Sequence, residues 1–587
     1  MDGNWNLDAM YESCDDPQFL ADLNKFDTII SDFTKMVDHI VVSSSNVTQN
    51  LETYLQKYID INLFARKLGA YLHLVLSTDA NNEKAQKFRV QMSSKHSMLT
   101  EPMTKMELFI GGLQNLDDII AESTLLQQHK FWFEEIVKEQ QYILSPDMES
   151  IISKLKNTGS SAWISYKSKL IANHKVEFRL NDEYKIMPLT AVLNLAESPD
   201  PETRKVVYKA ELKSYKKIEE GIAAALNAVK GEVLTLTEKR GYDTVLEMTL
   251  QNSRMQKETL EAMLSAMKDS LPMFRKYLRR KGEMLGHENG LPWYDLFAPI
   301  TEEEMKFDYK EGSDFIIKHF KTFSDKLADF AQHAIDSEWI DVYPKEGKVG
   351  GAFCAGIKDI KECRILLNYG GTIGDVSTMA HELGHGFHNL CLNDETVINS
   401  HYPMPLAETA SILCETIVKQ AAVKEATDSE KLAILEAEIS DATQIIVDIY
   451  SRFLFESAFF EARENGYVTV EEIKSLMVDA QKQSYGDGLD ENVLHPYMWT
   501  WKSHYYGPNF YNFPYAFGLL FAKGLYAKYI EDTENFPAKY EQMLKVTGKM
   551  NIEQVTETIG IDVTKKEFWE ASLKIITDDI EKFLKLT

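Results

Sequence analysis

The sequence lacks the features of a secreted or membrane-embedded chain. Its first residues, MDGNWNLDAM, contain neither a basic stretch nor an apolar core, so we expect no secretory signal. It has no uninterrupted apolar run of about 18 residues, which is the length needed to cross a bilayer. Cysteine is scarce, and the five cysteines form no close pairs, as is typical of reduced thiols. We therefore expect a cytoplasmic protein with no membrane partner.

The sequence also has fewer basic than acidic residues. The 64 Lys and Arg stand against 90 Asp and Glu, so the formal net charge is −26. A nucleic acid is bound through an excess of Lys and Arg, so we expect no nucleic-acid partner. The apolar content of 44% is ordinary for a globular protein, and 587 residues suffice for two regions with their own cores. The oligomeric state stays unknown at this stage.

The sequence does contain one constellation of metal-binding type, HELGH at residues 381–385. Residues four apart on an α-helix share a face and lie about 6 Å apart along the axis, so His381 and His385 can close on one ion. Catalytic zinc takes neutral imidazoles and a third protein ligand, and it keeps a position open for water. Glu382 is then placed to take a proton from that water.

Three residues after the motif are candidates for the third ligand. His388 follows on the same helix, which cannot bend three side chains onto one ion, so a core or supporting role suits it better. The longer pattern with a third histidine requires Gly at 388 and His at 391, and the chain has His388 and Cys391 there. Glu408 is the stronger candidate, on a second predicted helix. Glu415 lies two turns later on the same face of that helix as Glu408. It is expected either to orient a ligand histidine or to be an ordinary surface glutamate.

The sequence resembles the M3 family of zinc metallopeptidases, close to its oligoendopeptidase F branch. The resemblance covers essentially the whole chain and is most specific in HELGHGFH (381–388), AETASILCE (407–415) and SHYYGPNFYNFPYAFG (503–518). It implies one zinc ion per chain, held by His381, His385 and Glu408, with Glu382 as the general base. It also implies helical lobes around an internal substrate channel that is too narrow for folded proteins.

The remaining sequence predicts a mainly α, two-lobed fold. Apolar residues keep helical spacing between residues 20 and 40, and similar stretches continue to about residue 140. The segment 176–189 alternates apolar and polar residues around Asn-Asp, which predicts a short β-hairpin. Ser-Pro-Asp-Pro at 198–201 marks the main boundary. We therefore predict an N-terminal helical lobe at 1–198 and a catalytic zinc peptidase domain at 199–587.

A second segment of β character runs from Trp339 to Tyr369 and predicts a small sheet beside the zinc-binding helix. Gly350 and Gly351 inside a strand would mark a bulge or the close approach of another backbone. An edge of this sheet could take the substrate as an added strand, which reads the main chain of a peptide. An ordinary turn is the alternative.

Peptide hydrolysis produces an oxyanion, which preorganised hydrogen-bond donors stabilise. The block around residues 504–515 offers His504, Tyr505, Tyr506, Tyr511 and Tyr515 as donors. Aromatic clusters are more often core, and some of these five must be. The resemblance implies that a histidine followed by tyrosines faces the substrate carbonyl, so it favours His504, with Tyr511 and Tyr515 next.

Upstream of this block, a long helix is predicted from Asp441 to Asn465. Arg452 and Glu456 stand four residues apart in it, which predicts a structural ion pair between them.

Together these features predict a zinc-dependent endopeptidase that cleaves short peptides. A carboxypeptidase or peptidyl-dipeptidase of the same chemistry is one alternative, and it needs a cationic group to hold the terminal carboxylate of the substrate. A non-catalytic peptide-binding protein with a vestigial metal site is another alternative. The intact Glu382 and the full set of ligands count against it.

Overall fold

A computed structural model describes residues 3–43, 45–301 and 305–587. The chain is 69% helical with only small sheets, which confirms the predicted mainly α class. None of the described helices is long and apolar enough to cross a membrane.

The helices follow one another closely along the chain. In order they are α1 Pro17–Ile40, α2 Val47–Thr78, α3 Glu83–Ser97, α4 Thr100–Gly111, α5 Leu116–Ala121, α6 Thr124–Gln128, α7 Lys130–Gln140, α8 Pro146–Thr158, α9 Ser160–Asn173, α10 Leu189–Asn194, α11 Pro201–Tyr215, α12 Glu219–Arg240, α13 Val245–Asn252, α14 Lys257–Met284, α15 Tyr309–Phe323, α16 Asp325–Asp336, α17 Ile373–Cys391, α18 Met404–Ala407, α19 Thr409–Glu425, α20 Asp428–Thr443, α21 Ile449–Glu464, α22 Val470–Tyr485, α23 Met498–Trp501, α24 Phe513–Glu531, α25 Phe536–Val546, α26 Ile552–Glu557 and α27 Lys566–Leu586. The strands are β1 Lys175–Leu180, β2 Glu183–Pro188, β3 Ile340–Asp341, β4 Phe353–Ile357 and β5 Glu362–Leu366.

The chain divides into two compact units, each built from three separate stretches. The first unit is Met1–Gln141, Met305–Ala421 and Lys528–Ile561, and the second is Tyr142–Glu304, Ala422–Ala527 and Asp562–Thr587. The predicted domain boundary near residue 198 falls inside the second unit, and the division at that point stays a prediction.

The core of the first unit begins with α1. The carboxylate of Asp16 caps this helix by accepting from Gln18 N, and Pro17 starts its first turn. Seven apolar residues at helical spacing are buried along one face: Phe19, Leu23, Phe26, Ile30, Phe33, Val37 and Ile40. They join a hydrophobic cluster that extends to Ile357 and Leu366 of the sheet. The buried face that this periodicity gives α1 is therefore part of the same core as the small sheet.

The sheet of the first unit has three strands in the order β3-β5-β4. β3 pairs parallel with β5, and β4 pairs antiparallel with it, so β4 is an edge strand. α17 packs against both β4 and β5, which places the sheet beside the helix that carries the HELGH motif. Gly350 and Gly351 lie in the bend before β4 and not inside a strand, contrary to the sequence-based expectation. Gly351 has a φ of +81°, a conformation that glycine adopts without strain.

In the second unit, β1 and β2 form an antiparallel hairpin. Its turn residues Asn181 and Asp182 have φ values of 51° and 62°, as a two-residue turn of type I′ requires. α14 packs along α27, and α21 packs along α22.

The predicted ion pair between Arg452 and Glu456 is wrong. Arg452 Nε donates to Asp448 Oδ2 at 2.7 Å, one turn in the opposite direction, while Glu456 Oε1 accepts from Lys230 Nζ at 2.6 Å. Spacing within a helix offers each charged residue a partner on either side, and a residue of another helix can also compete. Tertiary packing decided between these partners.

Candidate active site

The helix α17 is fixed at its start by a reciprocal cap. Thr372 Oγ1 accepts from Asp375 N at 3.1 Å, and Asp375 Oδ2 accepts from Thr372 N at 2.9 Å. Two turns later, His381 and His385 stand on one face, with ring centroids 4.9 Å apart. The capped, largely buried helix thus presents both imidazoles from a rigid element.

A close contact between backbones brings the second helix to these histidines. A Cβ atom added at Gly384 would lie 2.6 Å from Ala410 O and 2.6 Å from Ser411 Cα. Only glycine allows α19 to approach α17 so closely. Glu408, in the break between α18 and α19, lies two residues before this crossing point.

The side chains of His381, His385 and Glu408 converge. Glu408 Oε2 lies 3.2 Å from His381 Nε2 and 3.4 Å from His385 Nε2. One nitrogen or oxygen atom from each of the three residues lies within 4.8 Å of the others. Such a spacing would let the three side chains bind one metal ion, and among the His, Cys, Asp and Glu of the described ranges this is the group that has it. Ser411 Oγ donates to Glu408 Oε2 at 2.9 Å and so fixes the carboxylate.

Glu415 holds the far side of His381. Its Oε2 atom lies 3.1 Å from His381 Nδ1, which leaves Nε2 directed at Glu408. Its other oxygen lies 2.6 Å from Lys419 Nζ. A carboxylate on the second nitrogen is the usual support of a metal-binding imidazole. Lys419 was not singled out from the sequence, although its spacing of four residues from Glu415 was a usable signal.

The charges of this group favour a cation at its centre. Burial would raise the pKa of Glu408, but its hydrogen bonds with His381 and His385 outweigh that and hold the pKa far below its usual range. Burial would likewise lower the pKa of His381, but Glu408 and Glu415 raise it to about 10. Two ionised carboxylates around the imidazoles therefore stabilise a positive charge, either a proton or a metal ion.

Glu382, next to His381 on α17, is not part of the group formed by His381, His385 and Glu408. It is 6% exposed, and within the described part of the chain its Oε2 atom has no hydrogen-bond partner. Burial raises the pKa of its carboxyl, while His385 and His381 oppose the rise. A buried carboxylate oxygen without a partner is costly for structure alone and is typical of a functional group.

His388 takes no part in this group. It is fully buried, its Nε2 atom lies 3.0 Å from Thr547 Oγ1, and its ring stacks on Tyr402 with centroids 4.2 Å apart. Burial, assisted by His385, lowers the pKa of His388 to about 3. The geometry is that of a core histidine.

In the second unit, His504, Tyr511 and Tyr515 form a cluster of their own. The ring of His504 lies 5.9 Å from that of Tyr511 and 6.2 Å from that of Tyr515, and the two tyrosine rings are 5.8 Å apart. All three side chains are partly exposed, whereas Tyr505 and Tyr506 are buried at 1% and 2%. The five possible donors of this block thus divide into a partly exposed cluster and two core residues.

The surroundings of His504 favour its neutral form. Burial lowers the pKa of its imidazole, and the positive charges of Arg452 and Lys502 lower it further. A neutral imidazole can donate one hydrogen bond without adding a charge of its own.

Comparisons with known proteins match this chain to peptidases. The sequence model of peptidase family M3 matches residues 194–575, and that of oligopeptidase F matches residues 113–175. An oligoendopeptidase F homolog of Lactococcus lactis subsp. lactis is 25% identical over 592 residues, covering 99% of this chain and 97% of that protein.

Solved structures share the fold over nearly the whole chain. A protein from Chlamydophila abortus aligns with a TM-score of 0.86 at 22% identity, covering 100% of this chain and 98% of its own. Oligoendopeptidase-F from Enterococcus faecium aligns with a TM-score of 0.72 at 18% identity, covering 97% and 99%.

Proposed function

Because the chain belongs to peptidase family M3 and is a metalloendopeptidase, we propose that it is a zinc-dependent enzyme that hydrolyses internal bonds of short oligopeptides. The observation that carries the zinc proposal is the convergence of His381, His385 and Glu408 to within 4.8 Å. Two imidazoles and one carboxylate are a donor set that catalytic zinc takes, with one position left for water.

One zinc ion per chain would be held by His381, His385 and Glu408. When bound, zinc supplies a Lewis acid that polarises the scissile carbonyl and lowers the pKa of a water molecule. Glu415 orients His381 through Nδ1, at 3.1 Å. Lys419, one turn later on α19, pairs with Glu415 and so fixes the carboxylate that supports His381.

Glu382 is the proposed general base. Its Oε2 atom, which has no partner in the described residues, accepts the proton of the attacking water and later delivers it to the leaving amine. Burial raises the pKa of this carboxyl, which makes it a stronger base toward the attacking water.

We assign oxyanion stabilisation to His504, Tyr511 and Tyr515. The assignment rests on the family resemblance and on the geometry of their cluster in the second unit, where the rings lie 5.8 to 6.2 Å apart. The neutral imidazole and the phenols donate hydrogen bonds to the carbonyl oxygen as negative charge develops on it.

We further propose that the edge strand β4 takes the peptide as an added strand, so that the main chain of the substrate is recognised. We also propose, from the resemblance, an internal channel and a restriction to short peptides. From the Ser-Pro-Asp-Pro segment at 198–201 we propose a division into a helical lobe at 1–198 and a catalytic domain at 199–587. The family matches at 113–175 and 194–575 support that division. The five free cysteines support a cytoplasmic location.

The function is tested with peptides blocked at both termini, incubated with the wild type and with Glu382→Gln. We expect internal cleavage products by mass spectrometry, their loss on chelation and their return with zinc. Glu382→Gln should retain zinc and lose turnover by several orders of magnitude. Cleavage only of peptides with free termini would favour the carboxypeptidase or dipeptidase alternative, and undiminished turnover in Glu382→Gln would exclude Glu382 as the base.

A further inference from the structure

A short turn in the second unit, residues 509–512, is bonded at one end to the buried Lys230 and at the other to Arg452, whose side chain is 13% exposed. Lys230 Nζ on α12 donates to Asn509 Oδ1 at 3.0 Å, and Arg452 Nη1 on α21 donates to Asn512 Oδ1 at 3.1 Å. Tyr511 lies between these two asparagines. The side chains at the two ends of the turn are therefore attached to two different helices, and Thr249 Oγ1 on α13 also donates to Asn509 O at 3.2 Å.

The two cations are themselves fixed by carboxylates. Lys230 and Glu456 are each 1% exposed and lie 2.6 Å apart. Arg452 Nε donates to Asp448 Oδ2 at 2.7 Å, and Asp448 Oδ1 also accepts from Tyr485 OH at 3.2 Å. Buried charges with this many bonds have little freedom to move, so they define the positions of the groups they hold.

The backbone of the turn is strained at its centre. Phe510 has a φ of 51°, in the left-handed region, which is unfavourable for a residue with a side chain. Its ring is buried at 5% exposure and lies 5.3 Å from Phe453 and 5.7 Å from Phe460, both on α21. Such strain persists only where the surroundings over-determine the conformation, and it is concentrated at functional sites.

We propose that Lys230, Arg452 and Phe510 are positioning residues that fix the orientation of Tyr511 within its cluster with His504 and Tyr515. The inference rests on the proposed function, in which Tyr511 is a donor to the oxyanion. The same turn also places the second tyrosine, because Tyr515 N donates to Asn512 O at 3.1 Å where α24 begins. Donors that are fixed before the reaction stabilise the transition state without reorganising.

A second buried pair in the same unit provides a matched control. Lys281 is 1% exposed, like Lys230, and its Nζ atom lies 2.7 Å from Glu436 Oε1. Its other hydrogen bond goes to Leu296 O and not to the turn. Lys281→Met and Lys230→Met therefore remove the same group from equally buried lysines, although Glu436 is 13% exposed and Glu456 only 1%. Only Lys230→Met removes a bond to the turn.

Both variants should lower the melting temperature, because each removes the lysine that pairs with a glutamate, although Glu436 still accepts from Tyr277 OH at 3.0 Å. We expect Lys230→Met to lower kcat by about 10- to 100-fold with little change in KM, and Lys281→Met to keep the kcat of the wild type. If Lys230→Met fails to fold, Asn509→Ala removes the same bond between Lys230 and the turn and leaves the Lys230–Glu456 pair intact. An equal kcat in the variant that lacks this bond and in the control variant overturns the proposal.

A double-mutant cycle tests whether the network acts through the tyrosine. Asn512→Ala should lower kcat in the wild type by about 10-fold or more and cause little further loss in the Tyr511→Phe background. Independent, multiplicative losses overturn the positioning role, and so does full activity in Tyr511→Phe, since there would be no donor to position.

The outcome is separable from that of the proposed function. Cleavage that survives Glu382→Gln contradicts the proposed mechanism itself. Wild-type kcat in Asn512→Ala, with cleavage still abolished by Glu382→Gln, contradicts the positioning network alone.

Discussion

The substitution Gly384→Ala tests how the two ligand-bearing helices are held together. The added Cβ atom would lie 2.6 Å from Ala410 O and from Ser411 Cα, where ordinary contact begins at 3.4 Å. Both obstructing atoms belong to the backbone, so no side chain can rotate away. The start of α19 would have to retreat by about 0.8 Å, the shortfall from ordinary contact, whereas metal–ligand distances tolerate only about 0.2 Å.

Since Glu408 lies two residues before Ala410, we expect it to move out of reach of the metal together with the helix. Zinc affinity should fall by at least about 10- to 100-fold, the loss seen when even a supporting residue is removed. The overpacked crossing should also lower the free energy of unfolding by about 1–3 kcal/mol. Competition with a chromophoric chelator measures the affinity, and urea denaturation measures the stability.

Gly374→Ala is the matched control in the same helix. Its Cβ atom would lie 3.4 Å from Thr372 Oγ1, an ordinary contact, so zinc affinity and turnover should stay at the level of the wild type. Wild-type zinc affinity in Gly384→Ala would contradict the close-crossing account of the site.

Three further outcomes are expected. Glu415→Gln should weaken zinc binding by about 10- to 100-fold, measured by the same competition, because the carboxylate on His381 Nδ1 is lost; unchanged affinity would show that this contact does not support the ligand. Removal of zinc should lower the melting temperature of the wild type, since a ligand that binds only the folded state stabilises it, and adding zinc back should restore it; equal melting curves would contradict a folded-state metal site. The pKa of His388, lowered to about 3 by burial and then by His385, makes stability depend on pH. Below about pH 6.5 the unfolded chain binds a proton that folded His388 does not, so the free energy of unfolding should fall by about 1.4 kcal/mol per pH unit down to about pH 3, and His388→Gln should show a correspondingly shallower slope in urea unfolding between pH 7.5 and 5; identical slopes would contradict this account.

The HELGH motif was sufficient to predict two ligands on one helix, because helical spacing is a local property. The choice between Glu408 and Glu415 was not local. The structure places Oε2 of Glu408 near both Nε2 atoms and Oε2 of Glu415 near Nδ1 of His381, a division set by where α19 crosses Gly384.

The aromatic block shows the same limit. Its composition predicted five possible hydrogen-bond donors, and only packing separates the partly exposed His504, Tyr511 and Tyr515 from the buried Tyr505 and Tyr506. Arg452 is a charged example of the same limit. Its spacing from Glu456 predicted an ion pair with that residue, but Arg452 bonds to Asp448 instead.

Periodicity and capping residues were enough to predict a mainly α fold, and the HELGH spacing was enough to predict a pair of metal ligands, because each of these signals acts within a few turns of one helix. The peptidase family came from the resemblance of longer stretches of sequence. The partners of Glu408, Glu415 and Lys230 depended on tertiary structure. They are brought together from segments far apart in the chain, at distances that the close packing of buried helices sets.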